Sequence, residues 1–440
     1  MTIDSQTDVR AWLDAHWNVE AGVGVPTGRD RAGAPTLERI RALLRLLGSP
    51  ETAYPAVHLT GTNGKTSTAR MLATVLREAG LRVGTYTSPD LSRVNERMEL
   101  DCVPIGDEEL DDVLRVVSLV ESQLDVRPSY FEVVTAAAFR WFADVAVDVA
   151  VVEVGLGGTW DATNVVDGRV AVVTNVAVDH VEYLGPTREQ IAAEKAGIVK
   201  PESVLVLGET DPDLAEIFVA RGPRRVLRRD VDFGVRDNAI AVGGRLVDCY
   251  TPGGRHPDLF VPLHGAHQAD NAVIALAAAE AFVDRQLDES LVAAAFAQVR
   301  SPGRLEVVRR QPLVLLDGAH NVAGAEALRR ALAEEFADGP RTLVVGLLRE
   351  KEPHEMLAAL GLDDAAALVC CPPPSPRALD PADIARAAVE LGFAEERVSV
   401  VDDVREAVST ALLETPAAGQ IVVTGSLYVV GAARAMLVRS

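Results

Sequence analysis

Residues Val57–Thr68 read VHLTGTNGKTST, a short apolar run followed by a glycine-rich turn and the start of a helix-forming segment. This order is typical of a phosphate-binding loop, because glycines let backbone N–H groups approach phosphate oxygens and the helix dipole favours an anion. The common pattern G-x-x-x-x-G-K-[ST] would require a glycine at Leu59, so Gly61–Lys65 is a shortened form. Lys65 would reach the β- and γ-phosphates and Thr66 a magnesium ion. An ordinary turn with an exposed lysine is the alternative, and the flanking strand and helix favour nucleotide binding.

Outward from this loop, short β-branched runs alternate with alanine-rich stretches of helical period. Most runs are apolar on both faces, which is typical of parallel strands covered by helices. The predicted strands are Ala56–Thr60, Arg82–Tyr86, Val147–Val154, Val170–Val176, Val204–Leu207, Leu313–Leu316, Thr342–Gly346, Ala367–Cys371, Val398–Val401 and Gln420–Thr424. The predicted helices include Ala69–Glu78, Ser129–Phe142, Gln268–Val283, Ala323–Phe336 and Ser426–Leu437. The predicted class is α/β: a P-loop-type nucleotide-binding domain with a mostly parallel sheet, plus a smaller Rossmann-like α/β C-terminal domain.

Two segments indicate the domain organisation. Val231–Pro262 contains glycine pairs and short alternating stretches, so we expect small β-hairpins appended to the first domain. Arg300–Arg304, RSPGR, precedes a fresh series of strands and helices and predicts a joint between domains. We therefore predict an ATP-binding domain over residues 1–299 and a second domain over residues 300–440.

Composition limits the classes of partner. The 440-residue chain has a net charge of -21, which argues against nucleic-acid and anionic-membrane partners but is compatible with anionic small substrates in a local basic pocket. The four cysteines, without CxxC spacing, indicate free thiols in a reducing cytosol. The acidic N-terminus has no apolar signal segment, and no apolar run reaches the length of a membrane span. We expect a monomeric cytoplasmic protein that acts on small molecules.

Three residues that could bind a metal ion or take part in catalysis follow the phosphate loop in the sequence. Glu153 ends a buried strand, where α/β sheets present ligands and where a carboxylate suits Mg²⁺; a solvated loop-edge charge is the alternative. His180 follows the next predicted strand, so both strands would bring ligand-type residues to the sheet edge that holds Lys65; a satisfied core histidine is the alternative. Lys195 has an apolar helical setting, as either a snorkelling lysine or one desolvated enough to be neutral and nucleophilic.

An ordered set of motifs runs across nearly the whole chain: GTNGKTS, SP after GTYT, SYFE, EVGLGGTWDATN, DHVEYLG, EKAGIVKP, HQADNA, GRLE, LDGAHN and VTGSLYVVG. Together they resemble the folylpolyglutamate synthase and dihydrofolate synthase family of the Mur ligase superfamily, with DATN, DH and EKAGI as the most specific series. The resemblance implies an ATP-dependent ligase that adds L-glutamate to a pterin carboxylate, dihydropteroate or tetrahydrofolate, through an acyl phosphate. It makes residues 1–299 the Mur-type central domain and 300–440 the glutamate-side domain.

The resemblance also implies roles for individual residues. Contacts with ATP are implied for Thr62, Asn63, Gly64, Lys65, Thr66, Asn271, Arg304 and Asp317. Two magnesium ions are implied, with their ligands drawn from Ser88, Glu153, His180 and a carbamylated Lys195. The implied catalytic residues are Lys65, Lys195, Asp317 and His320. Contacts with the pterin or with glutamate are implied for Ser129, Tyr130, Phe131, Glu132, Trp160, Asp161, Ala162 and Ser426, and His320 is a further candidate for placing glutamate.

The sequence departs from the family pattern on the acceptor side. Thr159 stands where an arginine is usual before DATN, Asp90 stands where a histidine is frequent, and Ala21–Ala34 is not the usual pterin-side segment. We therefore expect intact ligation chemistry, with an unusual folate or another small carboxylate as an alternative acceptor. Two other hypotheses are a Mur-type ligase for a different acceptor or amino acid, and a nucleotide-regulated binding protein without catalysis. The retained Lys65 and Glu153 argue against the last one.

Overall fold

The computed structural model describes residues 8–18 and 36–438. The segment Ala21–Ala34 lies outside the described residues. The chain forms two compact units. One unit comprises Met1–Ala239, Leu246–Val261 and Ala269–Val299, and the other comprises Ile240–Arg245, Pro262–Gln268 and Arg300–Ser440.

The helices and strands follow one another in the α/β order expected from the sequence. The helices are α1 (Val9–Asp14), α2 (Glu38–Leu46), α3 (Lys65–Glu78), α4 (Asp107–Glu121), α5 (Tyr130–Asp144), α6 (Val181–Leu184), α7 (Arg188–Lys195), α8 (Pro212–Val219), α9 (His267–Val283), α10 (Glu289–Ala297), α11 (Val322–Glu335), α12 (Pro353–Leu360), α13 (Pro381–Glu390), α14 (Val404–Glu414) and α15 (Leu427–Leu437). The strands are β1 (Ala56–Thr60), β2 (Val83–Tyr86), β3 (Met98–Leu100), β4 (Val103–Pro104), β5 (Val149–Glu153), β6 (Gly168–Val173), β7 (Val204–Leu207), β8 (Arg225–Arg228), β9 (Gly234–Ala241), β10 (Gly244–Thr251), β11 (Gly254–Val261), β12 (Glu306–Arg310), β13 (Leu313–Leu316), β14 (Arg341–Val345), β15 (Ala367–Cys370), β16 (Val398–Val400) and β17 (Gln420–Thr424).

The first unit is built on an eight-stranded sheet in the order β4-β3-β2-β5-β1-β6-β7-β8. The strands from β2 to β8 in this order run parallel, while β3 and β4 are antiparallel additions at one edge. In the central strand β1, Leu59 lies opposite Glu153 of β5, and Thr60 lies opposite Val173 of β6. The carboxyl ends of these three strands therefore meet at one sheet edge, where the phosphate loop begins.

Two hydrophobic cores stabilise this sheet. One packs α2, α4 and α5 against β2 and β5, with Tyr86, Phe139 and Phe142 fully buried. The other packs α7 and α8 against β6 and β7 around the buried Phe218. The segment Val231–Pro262 forms a separate three-stranded sheet in the order β11-β10-β9.

The second unit is a six-stranded sheet in the order β12-β13-β17-β14-β15-β16. Only β12 is antiparallel to its neighbour. Two short segments from earlier in the chain complete this unit at the end of α11. Arg245, which is 1% exposed, donates hydrogen bonds to Glu334 at 3.0 Å and to Glu335 at 2.9 Å. The N–H of Gly265 donates to the same Glu335 carboxylate at 2.7 Å, and Nδ1 of His264 lies 2.7 Å from it.

The predicted α/β class is confirmed, and several strand boundaries differ by one to three residues, most of all the end of β6. The sequence predicts that the strand beginning near Val170 continues to Val176, but β6 ends at Val173. Beyond it, Asn175 and Ala177 bond to the phosphate loop, and Val176 bonds to side chains instead of a neighbouring strand. The sequence also does not predict β3, β4, β8 and β12, which are short or charged strands at or beside sheet edges. Among residues 8–18 and 36–438, no helix has the length and apolar character needed to cross a bilayer.

Candidate active site

The phosphate loop joins the end of β1 to the start of α3, as the sequence predicts. Gly64 is the N-cap of α3 and has a φ of 82°, a left-handed conformation that disfavours any residue with a Cβ. A Cβ at Gly64 would also lie 2.4 Å from the side-chain oxygen of Asn271 on α9. Asn271 therefore packs directly against the turn from which backbone N–H groups would approach a phosphate.

A second loop, residues 174–177, holds the phosphate loop by hydrogen bonds in both directions. The N–H of Thr62 donates to the carbonyl of Asn175 at 3.0 Å, and the N–H of Asn63 donates to the Asn175 side chain at 3.0 Å. The Thr174 hydroxyl donates to the Asn63 carbonyl at 2.7 Å, and the N–H of Ala177 donates to the Thr62 hydroxyl at 3.0 Å. The phosphate loop is thus rigidly placed by the chain that follows β6. No motif in the sequence predicts this role for Thr174 or Asn175.

Thr66 and Glu153 form the first polar pair at the sheet edge. The Thr66 hydroxyl donates to both carboxylate oxygens of Glu153 at 3.0 Å. Glu153 is only 1% exposed, which excludes the interpretation of a solvated loop-edge charge. Nearby in the loop, Nζ of Lys65 donates to the carbonyl of Thr62 at 3.2 Å. A lysine, a hydroxyl and a buried carboxylate therefore surround the turn, which is the set of groups that a nucleotide with Mg²⁺ requires.

Lys195 ends α7 in a buried position beside the same loop. It is 4% exposed, and its Nζ donates to the carbonyl of Gly61 at 2.9 Å, so it is not a lysine that reaches solvent. Desolvation, together with the positive charge of Lys65, lowers the pKa of Lys195 to about 7. The structure therefore provides a largely desolvated amine that is partly neutral near neutral pH.

Ser88 and His180 are the other two predicted metal ligands. Ser88 follows β2, and its hydroxyl is buried without a hydrogen-bond partner among the described residues. A buried, unsatisfied oxygen is compatible with a hard cation such as Mg²⁺. His180 does not end a strand: it lies beyond the 174–177 loop, at the N-terminus of α6, with a φ of 50°. Its side chain is 37% exposed, so it is not a satisfied core histidine.

Two residues that are predicted to contact the acceptor substrate, Ser129 and Glu132, cap the start of α5. Ser129 is the N-cap of α5 and accepts from the N–H of Glu132, whose carboxylate accepts from the N–H of Ser129 at 2.7 Å. Glu132 also pairs with Arg39, with both carboxylate oxygens 3.2 Å from Nε. Both polar side chains thus have structural partners in this capping box, and their contact with a substrate stays a prediction.

Tyr130 and Phe131 lie at the border of the hydrophobic core. Both are partly buried and pack against the core that contains Tyr86. The guanidinium of the buried Arg97 lies 5.7 Å from the centre of the Tyr130 ring, and Nε of Arg97 donates to Asp90. The unusual Asp90 therefore forms an ion pair with an arginine that touches a predicted pterin residue.

The TWDATN segment folds into a tight buried turn. Asp161 accepts hydrogen bonds from the N–H groups of Leu156 and Thr163, and burial raises the pKa of its carboxyl. Trp160 packs against the core around α7, and Ala162 is buried. The exposed Thr159 donates its hydroxyl to the carbonyl of Glu194 at 3.0 Å. Thr159 thus bonds to the end of α7, and Asp161 bonds to the glycine turn after Glu153.

In the second unit, three predicted residues follow the carboxyl ends of the adjacent strands β13 and β17, and Arg304 precedes β12, which begins opposite the end of β13. Asp317 accepts from the N–H groups of Leu305 and Ala319 at 2.8 and 2.9 Å. Burial raises the pKa of the Asp317 carboxyl, and the nearby Arg304 opposes this rise. Nδ1 of His320 lies 2.8 Å from the carbonyl of Gly318, while Ser426 is the N-cap of α15. These four residues thus occur together at one edge of a Rossmann-like sheet, where such sheets present ligands.

Comparison with known proteins identifies two families of domain in the chain. Residues 115–279 match the Mur ligase middle domain. Residues 303–427 match the Mur ligase, glutamate ligase domain.

The chain is similar to characterised proteins over nearly its whole length. It is 43% identical to the dihydrofolate synthase/folylpolyglutamate synthase of Mycobacterium tuberculosis, over 92% of this chain and 90% of the relative. A structure of the M. tuberculosis folylpolyglutamate synthase with ADP is 42% identical, has a TM-score of 0.90 and is matched over 98% of both chains. A structure of the bifunctional Yersinia pestis enzyme with AMPPNP and a manganese ion is 29% identical, with a TM-score of 0.85 over 99% of this chain and 100% of the other.

Proposed function

Because the chain belongs to the folylpolyglutamate synthase and dihydrofolate synthase family of Mur ligases, we propose that it joins L-glutamate to the carboxylate of dihydropteroate or a tetrahydrofolate. The chain is an ATP-dependent amide ligase, as its family and its Mur ligase domains indicate. The observation that carries the proposed site is the convergence on one phosphate loop of the Lys65 amine, the Glu153 carboxylate and the Lys195 amine.

The proposed reaction has two steps. A carboxylate oxygen of the pterin substrate attacks the γ-phosphorus of ATP, the bond to the β-phosphate breaks, and an acyl phosphate and ADP form. The amine of glutamate then attacks the acyl carbon, loses a proton, and the amide forms as inorganic phosphate leaves. Phosphorylation is necessary because a carboxylate oxygen is otherwise a poor leaving group. Lys65 and the N–H groups at the start of α3 stabilise the charge on the transferred phosphoryl group.

The residues after β2 and β5 fit a divalent cation. The orphaned Ser88 hydroxyl and the buried Glu153 carboxylate offer oxygen ligands, and the Thr66 hydroxyl already contacts Glu153. Magnesium, when bound, would neutralise phosphate charge during transfer. We propose Ser88 and Glu153 for one ion and His180 for a second, with Lys195 contributing after carbamylation. The buried position and lowered pKa of Lys195 support carbamylation, because CO₂ adds only to a neutral amine.

In the second unit, we propose that Arg304 and Asp317 bind ATP and that His320 and Ser426 place glutamate or the acyl phosphate. The support is the location of Asp317, His320 and Ser426 after the carboxyl ends of β13 and β17, and of Arg304 before the start of β12, which lies opposite the end of β13. For the pterin we propose the capping turn Ser129–Glu132 and the buried turn Trp160–Ala162. The support there is an aromatic pair next to two carboxylates, which suits a flat heterocycle with N–H donors.

The decisive experiment is product analysis by mass spectrometry. The purified chain is incubated with Mg·ATP, L-glutamate and either dihydropteroate or tetrahydrofolate, in separate reactions. A glutamyl product from one or both supports the proposal and shows whether the protein makes dihydrofolate, extends tails or does both. Lys65→Ala should abolish turnover with an unchanged circular dichroism spectrum, because the side chain serves the loop rather than the core.

A different carboxylate acceptor or amino acid is the second candidate, and one observation favours it. Asp90 and Thr159 depart from the family pattern, and both have specific partners in this fold, Arg97 and the backbone of Glu194. Phosphate release is measured with a panel of small carboxylates and amino acids. Strong turnover of dihydropteroate or tetrahydrofolate with glutamate would eliminate this candidate. Phosphate release with none of the pairs would instead support a binding protein without catalysis.

A further inference from the structure

Two side chains that are not part of the site described above form hydrogen bonds with the 174–177 loop. These are Glu209, which follows β7, and Arg188, the first residue of α7. We propose that Glu209 and Arg188 are positioning residues for nucleotide binding: together they fix the backbone of Val176 and thereby hold the 174–177 loop against the phosphate loop.

Glu209 uses both carboxylate oxygens for backbone N–H groups. Oε2 accepts from the N–H of Val176 at 2.7 Å. Oε1 accepts from the N–H groups of Thr210 and Asp211, each at 3.0 Å. The residue is 8% exposed, so these charge-assisted bonds are made largely away from water. The Glu209 carboxylate thus joins the turn after β7 to the 174–177 loop by hydrogen bonds.

Arg188 binds the backbone carbonyl of the same residue, Val176. Its Nε donates to the carbonyl of Val176 at 3.0 Å. Its terminal nitrogens lie 3.4 Å from Glu209 and 3.0 Å from Asp211, the N-cap of α8. Both the N–H and the C=O of Val176 are therefore bonded to charged side chains that also bond to each other.

Close packing leaves this arrangement little room to shift. The N–H of Gly208 donates to the carbonyl of Val173 at 2.7 Å. A Cβ at Gly208 would lie 2.4 Å from the carbonyl oxygen of Thr174 and 2.6 Å from Ile274. The turn after β7 and the 174–177 loop are therefore in backbone contact, with Glu209 immediately after the contact point.

The residues on either side of Val176 are the ones that bond to the phosphate loop. Asn175 binds the backbone of Thr62 and Asn63, and Ala177 binds the Thr62 hydroxyl. A displacement at Val176 would therefore move the bonds that set the shape of the turn before Lys65. Since a phosphate is bound by N–H groups in a fixed geometry, nucleotide affinity should depend on Glu209 and Arg188 although neither side chain bonds to the phosphate loop itself.

The test is the equilibrium binding of Mg·ADP, measured by calorimetry, with Glu209→Gln as the variant. Glutamine has the same shape, but its amide group cannot accept from Val176 on one side and from Thr210 and Asp211 on the other, and it loses the ion pair with Arg188. We expect the dissociation constant to rise at least about tenfold, the scale of removing a supporting group behind a ligand site. The dissociation constant of Mg·ADP does not depend on the acceptor substrate. It therefore tests this proposal even if the proposed folate reaction is wrong.

The control variant is Glu216→Gln. Glu216 lies nearby on α8 and pairs with Arg228 at 3.0 Å on the surface, without contact to the 174–177 loop. It should leave the dissociation constant of Mg·ADP within about twofold of the wild type, since exposed pairs contribute little. A lower melting temperature of Glu209→Gln with unchanged Mg·ADP affinity would show a purely structural role and overturn the proposal.

A second variant keeps the proposal testable if Glu209→Gln does not fold. Arg188→Met removes the bonds to Val176, Glu209 and Asp211 from a side chain that is 40% exposed and should be tolerated. It should weaken Mg·ADP binding in the same direction and accelerate amide hydrogen exchange at Val176, Ala177, Thr62 and Asn63. Wild-type affinity together with wild-type exchange at these amides would refute the proposal.

Discussion

The side-chain amine of Lys195 donates a hydrogen bond to the backbone carbonyl of Gly61 at 2.9 Å, which joins the end of α7 to the first glycine of the phosphate loop. The amine is enclosed by protein, and desolvation lowers its pKa to about 7. Burial destabilises the charged form of such a lysine, whereas its neutral amine can act as a nucleophile. Its loss should therefore affect chemistry more than stability.

Lys195→Met should reduce kcat at least about 100-fold, because the proposed carbamate ligand cannot form. The free energy of unfolding should change by less than about 2 kcal/mol, since removing a buried amine relieves its desolvation while the Gly61 carbonyl loses one partner. Turnover assays and urea titration measure the two effects. Lys200→Met is the control, because this half-buried lysine bonds to Asn164 and Gly197 instead. A wild-type kcat in Lys195→Met would rule out any catalytic or metal-binding role for the lysine.

Two glycines at opposite ends of α3 give a matched pair of substitutions. Gly64 and Gly80 have similar left-handed conformations, with φ of 82° and 89°. A Cβ at Gly64 would meet Asn271, whereas a Cβ at Gly80 would have no atom within 4 Å. Both alanine variants should lose about 1 kcal/mol of stability from backbone strain. Only Gly64→Ala should also raise the KM for ATP, by at least about tenfold, or 1.4 kcal/mol. Equal KM values for ATP in the two variants would contradict the proposed binding of the nucleotide at this loop.

Asp90→Asn tests whether the unusual residue after Pro89 acts on the acceptor. The variant weakens the contact with Arg97, whose guanidinium packs over Tyr130. We expect the KM for the acceptor to rise about 3- to 10-fold, less than about 1.4 kcal/mol, with unchanged KM values for ATP and glutamate. Asp144→Asn, which removes the surface partner of Arg140 at the other end of α5, should change none of the three. A similar rise in all three constants would indicate general loosening instead.

The buried His58 on β1 makes the free energy of unfolding depend on pH in the acidic range. Desolvation lowers its pKa from 6.5 to about 3, so the folded state favours the neutral ring more than the unfolded state does. Its contribution to stability is therefore complete above about pH 6.5 and is lost as the pH falls toward 3, with a slope of up to about 1.4 kcal/mol per pH unit. His58→Gln should flatten the decline in the free energy of unfolding between about pH 6 and 4, measured by urea titration. An identical slope in both proteins would mean that other groups control the acid transition.

The buried strands at the centre of each sheet were predictable because they are continuous apolar runs. The bounds of β1, β7, β13 and β17 agree with the sequence prediction. Edge strands such as β8, RVLR, are charged and lack that signal. The end of β6 is not visible in the sequence, because Val176 and Val178 extend the apolar pattern, whereas Val176 bonds to two side chains and Ala177 to the phosphate loop.

For the candidate site, the strand-loop-helix context was sufficient to single out Lys65. Glu153 needed the resemblance as well, because a single carboxylate at a strand end is more often a solvated charge. The proposed carbamate on Lys195 rests on the resemblance, and the burial of the side chain adds a physical reason for a neutral amine. Glu209 and Arg188 could not be found from sequence, because their partner is the backbone of Val176 and a backbone partner leaves no residue-type signal.

The location of Arg245 determines how this protein can be divided for experiments. The chain enters the second compact unit three times, with residues 240–245, 262–268 and 300–440. A stop codon after Val299 would remove Glu334 and Glu335, so Arg245 and the Gly265 N–H would lose these carboxylate acceptors. Residues 240–245 and 262–268 would also lose the unit to which they belong. The residue 1–299 fragment should therefore expose segments that are packed in the whole chain, and a split-protein reporter built at that position would need residues 300–440 supplied in trans.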